Sequence, residues 1–381
     1  MRKFFSFVAV MLIVLCFSLG TIGCAFMPIV PLAVPTQSHG GKDPADNGAN
    51  ELLRMTISSL QEFDGTRQNN LQILEFDDKG LPISITVQSD DQKQTAPISY
   101  TWNEQGDPSG FSLRSEDDPI SAVIENHYEN GTLTEVVFTD FLINGRSMQE
   151  SDALEQPSIG ISTAVTNILQ YFLHYTGYRD CSLRVAGTEN EFRFERGRLI
   201  FSYQDYGNMH QETTYEFGED GGQRVTVRTY SLNNGEKSLQ SSISTLTDAE
   251  LYEREMTVSS GNSEPIRLTY RYEDGSDPET GAAVRSCYYD QISVPKDLGS
   301  DELASLDQQL EQMRAVPVAR IWLDEAERVI RREQTDEYQQ LSGGQKTSFW
   351  YDESGRVVKQ ETRIEHGSQT IVNTTEYEYR P

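Results

Sequence analysis

The residues of this 381-residue chain that could do chemistry are five histidines, four cysteines and 59 carboxylates set against 32 lysines and arginines. The histidines are His39, His127, His174, His210 and His366, and none form the short spacings of a metal site. His127 beside Tyr128 and His174 in an apolar helical stripe read as structural residues. Cys181 and Cys287 lack CxxC spacing, so they make no metal site; after export they could pair as a disulfide or remain buried thiols. Acidic pairs such as Asp77/Asp78 and Asp117/Asp118 fall at hairpin turns, where solvation accounts for them. Two carboxylates could still assemble in space into a hydrolase, but spacing alone identifies no such pair. No GxSxG or HExxH string occurs, so no catalytic residue, metal ligand or cofactor is implied. The acidic turn "YEDGSDPETG" matches no calcium loop. Trp102 and Trp350 are the candidates for stacking on a ligand such as a sugar.

Two strings invite a nucleotide reading. "LSGGQ" at 341–345 matches the signature loop of ABC-type ATPases, and "IWLDEAE" resembles their acidic metal-binding strand. The phosphate-cradling GxxxxGK[ST] loop is absent, and the two strings stand in the wrong order. Both read as turns in a β-sheet, and a nucleotide partner is excluded.

The N-terminus places the protein. "MRKFFSFVAVMLIVLCFSLGTIGC" has two basic residues, an apolar run too short to span a bilayer comfortably, and small residues before Cys24. That order resembles a bacterial lipobox, with Thr21 where leucine is usual. It implies diacylation of Cys24, a membrane partner through that lipid, and exposure outside the cytoplasm at the bacterial cell envelope. Residues 25–50 carry four prolines and three glycines and read as a tether. The formal charge of −27 is spread along the chain, which opposes nucleic-acid binding and keeps the protein soluble.

An internal repeat carries the fold reading. "IWLDEAERVIRREQ" superposes on "FWYDESGRVVKQET" at an offset of 28, and "LEFDDKGLP", "YTWNEQGDP" and "NHYENGTLT" place Phe76, Trp102 and Tyr128 at intervals of 26. Large side chains recur at i and i+2: Leu74/Phe76, Tyr100/Trp102, Phe192/Phe194, Tyr215/Phe217, Tyr270/Tyr272, Phe349/Tyr351 and Tyr377/Tyr379. Spacing of two puts each pair on one face of a strand with polar residues on the other, the mark of an antiparallel sheet. The strings "DDKG", "NEQG", "ERG", "EDG" and "DESG" then supply turn residues with glycine. The string "FWYDESGRVV" resembles the YD, or Rhs-type, repeat of bacterial surface proteins. The resemblance implies a bacterial lipoprotein with degenerate β-hairpin repeats and an extracellular setting.

Two helical stripes break the pattern. Ile161, Val165, Ile168, Leu169 and Phe172 form one; Leu303, Leu306, Leu310 and Met313 form the other, after Ser300 as N-cap. The expected organisation is a signal (1–23), a tether (24–50), a β-hairpin region (51–150), a helical connection (151–179), a second β-hairpin region (180–296), a helix (297–316) and a C-terminal repeat pair (317–381). The expected fold is mainly β: antiparallel meander sheets of 26–28-residue hairpin repeats, with two short helices covering a face. The leading functional expectation is a lipid-anchored, non-enzymatic binding or structural module with an unknown protein, glycan or lipid ligand. A carrier of lipid or other apolar cargo is the alternative, with an extracellular hydrolase behind it. Cargo requires the aromatic face to line a hollow; a scaffold requires it to be packed solid.

Overall fold

The computed structural model describes most of residues 52–147, 172–293 and 311–380. Residues 1–51, with the signal, the tether and Cys24, lie outside that description, as do 148–171, 294–310 and several hairpin tips.

Twenty-two strands are formed. The first eight are β1 (Leu52–Phe63), β2 (Thr66–Phe76), β3 (Pro82–Ser89), β4 (Gln92–Trp102), β5 (Pro108–Leu113), β6 (Ile120–Glu129), β7 (Thr132–Ile143) and β8 (Arg146–Ser147). After helix α1 (172–178) come β9 (Ser182–Val185), β10 (Glu191–Glu195), β11 (Arg198–Asp205), β12 (Met209–Phe217), β13 (Gln223–Asn233) and β14 (Glu236–Thr247). Then follow β15 (Glu253–Ser260), β16 (Ile266–Ser276) and β17 (Ala283–Ser293). Helix α2 (311–315) precedes β18 (Ala319–Leu323), β19 (Val329–Gln334), β20 (Gln345–Tyr351), β21 (Val357–His366) and β22 (Gln369–Tyr379).

The sheet closes. Each strand pairs with the next, except that β8 pairs only with the end of β7, and β22 returns to pair with β1 along eleven residue positions. The remaining twenty-one strands form a closed ring. An odd number of strands cannot close with antiparallel pairs alone, and the single parallel pair is β7–β9, from Glu135↔Ser182 to Phe138↔Val185. The expectation of open meander sheets is therefore corrected to a barrel. Its cause is the β1–β22 pairing, which joins the two ends of the described chain and leaves no free edge.

The barrel has two different rims. At one rim each even strand of the ring from β2 to β20 turns into the following odd strand. Asp77, Asn103, Asp324 and Asp352 each accept hydrogen bonds through Oδ1 from the backbone N–H groups two and four residues on. The turns at Asp324 and Asp352, aligned by the 28-residue offset, also share an arginine: Arg328 and Arg356 donate through Nε to Oδ2 of their own aspartate at 2.8 and 2.7 Å. The "LDEAE" string is thus a turn, as the sequence suggests, and not a metal-binding strand. "LSGGQ" lies outside the described residues apart from Gln345, the first residue of β20. At β6–β7 the tight turn is made by Asn130 and Gly131, both with positive φ (52° and 81°), as a two-residue hairpin with matching twist requires.

Two helices pack on one face of the ring. Phe172, Leu173 and Tyr175 of α1 join the largest core cluster with Phe111, Phe138, Leu183 and Phe192, while Met313 of α2 joins a second with Met256, Leu268 and Tyr289. α1 is fastened by a buried carboxylate. Asp107, in the β4–β5 turn, accepts from Tyr128 and Tyr175 hydroxyls and from Arg179, each at 2.7 Å. Of the two helical stripes, 161–169 and 303–310 fall outside the described residues.

Candidate functional site: the inner wall of the barrel

Because side chains alternate across a strand, register fixes which residues share a face. One row runs Ile321↔Arg332↔Phe349↔Gln360↔Thr375↔Ile57↔Gln72↔Val87↔Gln94 through nine strands from β18 across the seam to β4. This face carries the core clusters, and it is the concave one. Arg332 on β19 reaches Glu253 at the start of β15, with 2.8 Å between Nη2 and Oε1. Those strands lie four places apart, about 19 Å along the sheet, so their side chains meet only across the inside of a tight curl. Tyr252 likewise packs on Ile321 and Leu323 of β18.

The neighbouring row faces outward: Trp322↔Arg331↔Trp350↔Lys359↔Glu376↔Thr56↔Ile73↔Thr86↔Thr95. On the seven strands from β20 through β22 to β4, all the charged residues fall on this outer face, among them Arg54 between Glu75 and Glu378. The inner face of the same strands holds no Asp, Glu, Lys or Arg. It is graded along the barrel axis. Phe76, Tyr100, Tyr351, Tyr377 and Tyr379 crowd toward the turn rim. Toward the far rim the wall mixes Gln68, Asn70, Gln72, Gln94, Thr347, Thr362 and Asn373 with Val87, Ile364 and Ile371.

A ring of twenty-one strands has a perimeter of about 100 Å at ~4.8 Å per strand. Eight strands already make a barrel that its own side chains fill, and sixteen or more leave an open lumen. Parts of this ring are filled: Leu74, Phe76, Phe192 and Phe194 are buried. Phe349, Tyr351, Tyr377 and Tyr379 are only half-buried by area. Burial nonetheless pushes the hydroxyl pKa of Tyr351 and of Tyr377 well up. All four keep accessible area on the inner face, and Tyr377 and Tyr379 border the cluster of Leu52, Leu74 and Phe76.

His174 on α1 sits against Phe76, with ring centroids 5.1 Å apart, and desolvation holds its pKa down to about 4. The unfolded chain, with an ordinary pKa near 6.5, binds a proton that the folded chain refuses. His174 therefore contributes nothing adverse above pH 6.5 and destabilises progressively as pH falls toward 4. His174→Gln is expected to flatten the loss of stability between pH 6.5 and 4, read as the difference between variant and parent urea midpoints at each pH.

The other residues singled out in the sequence are dispersed. Cys181 and Cys287 are buried free thiols in different core clusters, the second of the two alternatives their sequence leaves open, and burial raises each to about 12. Trp102 is 48% exposed at the turn rim, with the Lys79 ammonium 5.2 Å from its ring. Trp350 stands on the outer face between its two cross-strand neighbours, the Arg331 guanidinium at 5.4 Å and the Lys359 ammonium at 4.5 Å. Cations on either side occupy the ring that a sugar would stack upon. No group of three or more His, Cys, Asp or Glu among the described residues could hold a metal ion.

No family model matches the chain, and no curated protein matches it. Solved structures do. A porin-like protein from Bacteroides vulgatus aligns at 10% identity over 85% of this chain and 98% of its own, with a TM-score of 0.22. A porin-like protein from Bacteroides uniformis aligns at 8% over 87% and 98%, with a TM-score of 0.18. A mutant of Rh. blastica porin aligns at 10% over 86% and 99%, with a TM-score of 0.23. TM-scores this low carry no argument about function. The family expectation is nonetheless corrected: no family model supports the YD or Rhs-type resemblance, and a closed barrel replaces the open hairpin array. The lipid-anchored repeat lipoprotein, with a membrane partner reached through diacylated Cys24, is withdrawn with it. The β1–β22 pairing closes the ring that this reading left open, and no family model or curated relative carries it.

Proposed function

We propose that this protein binds an apolar or amphipathic small molecule inside its barrel, as a carrier or sequestering protein of the bacterial cell envelope. The observation that carries the reading is the set of half-buried inner side chains Phe349, Tyr351, Tyr377 and Tyr379, on a stretch of wall whose only bordering charges, Arg332 and Glu253, neutralise each other. The signal-like N-terminus supports an extracytoplasmic setting. A membrane-spanning channel calls for the reverse arrangement, an apolar belt outside and a polar lumen; here the outer face carries ion pairs such as Arg54–Glu75 and Lys359–Glu361. An enzymatic role finds no constellation of catalytic groups among the described residues.

The test is mass spectrometry of the protein purified from its host without detergent, under native and then denaturing conditions. The expected result is a reproducible additional mass that disappears on denaturation. A bare chain mass in both conditions, with no uptake of added N-phenyl-1-naphthylamine, would sink the reading.

A further inference from the structure

We infer that the ligand of this wall is a neutral amphiphile whose head is rich in hydroxyl groups, such as an alkyl glycoside; the inference rests on the binding function proposed above. The inner face of β20–β22 and β1–β4 is uncharged from rim to rim, although the outer face of the same strands carries at least a dozen charged residues. So complete a separation means that this stretch of wall offers no counter-ion, and a charged head laid against it would lose hydration without compensation. The nearest inner cation, Arg332, is already paired with Glu253.

What the wall does offer is matched to hydroxyls. Each Gln or Asn amide presents two donors and a two-lone-pair acceptor, and each Thr or Ser hydroxyl can donate or accept. Sugar hydroxyls have the same double character, whereas a sulfate only accepts and a quaternary ammonium does neither. Gln360, in the middle of the inner row and 6% exposed, has a buried Oε1 without a hydrogen-bond partner. An amide oxygen left so costs free energy until a donor reaches it. The aromatic cluster at the turn rim sets the pose: the chain lies among Tyr351, Tyr377 and Met55, and the head faces the amide and hydroxyl belt of Gln72, Gln360 and Thr362.

The experiment is calorimetric titration of the host-exported protein with octyl glucoside, octyl sulfate, octyltrimethylammonium and octanol, each below its micellar concentration. The glucoside is expected to bind saturably at least tenfold more tightly than either charged amphiphile and more tightly than octanol. Gln360→Glu, checked for folding by circular dichroism, is expected to weaken the glucoside at least tenfold, and Gln360→Leu to weaken it less. If charged and glycosidic heads bind alike, or the sulfate binds best, the head-group inference is overturned while interior binding stands. If none of the four binds, the binding function falls, and this inference with it.

Discussion

Asp107→Ala is expected to lower the free energy of unfolding by about 3–5 kcal/mol, the range for breaking a buried charged pair by removing one partner. The carboxylate is 4% exposed and accepts from Tyr175, Tyr128 and Arg179. Without it, the guanidinium loses its counter-charge and two hydroxyls lose their acceptor, the Tyr175 hydroxyl in a buried setting where an unmade bond costs most. The loss is global because this carboxylate connects the β4–β5 turn to β6 and to α1, and α1 carries Phe172, against which Phe111 and Phe138 pack at 5.3 and 4.9 Å. Asp107→Asn keeps an acceptor and is expected to cost about half as much. Tyr175→Phe and Tyr128→Phe should each cost about 1 kcal/mol. Urea denaturation of the four variants checks the order.

The second large effect concerns the curl of the sheet. Arg332→Met leaves the Glu253 carboxylate facing the inner wall with no cation, and an expected loss of about 2–4 kcal/mol follows; the pair retains some exposure, so the value sits below the fully buried range. The double variant Arg332→Met with Glu253→Gln should recover most of that loss. The coupling energy between the two sites is the informative number, because β15 and β19 are separated by three intervening strands. In a flat sheet the two side chains could not meet and their effects would simply add. A coupling of 1 kcal/mol or more is expected, and strict additivity would contradict the inward curl.

Much of the local structure was legible in the sequence. Pairs such as Phe192/Phe194 and Leu74/Phe76 do share one buried face, because the period of two is a property of any strand. The Asp-x-x-Gly-Arg string at 352–356 is a turn because the aspartate side chain satisfies the turn's own N–H groups. Closure was not legible: the pairing of Met55 with Tyr377 is a contact between ends of the chain, and nothing local marks it. The face that each charged residue takes was not legible for a related reason. In "RVIRREQ", Arg331 and Arg332 look alike as a solvated run, yet parity sends Arg331 outside between two tryptophans and Arg332 inside to Glu253. Trp350 was singled out as an aromatic for ligand stacking, but it lies between the inward Phe349 and Tyr351 and so must point outward. The signal that was available is the alternation of uncharged residues with charges in stretches such as "KQETRIE" at 359–365, which only register turns into an inner and an outer wall.

The most direct test of the central claim is to ask where an apolar molecule touches the protein. A long-chain alcohol carrying a diazirine, equilibrated with the protein as its host exports it and photolysed, can be located by mass spectrometry of the proteolytic peptides. The account predicts adducts on inner-wall residues, chiefly Met55, Tyr351 and Tyr377, that are competed away by unlabelled octyl glucoside. Adducts confined to the outer row of Trp322, Lys359 and Glu376, or uncompeted labelling spread over both faces, would contradict it.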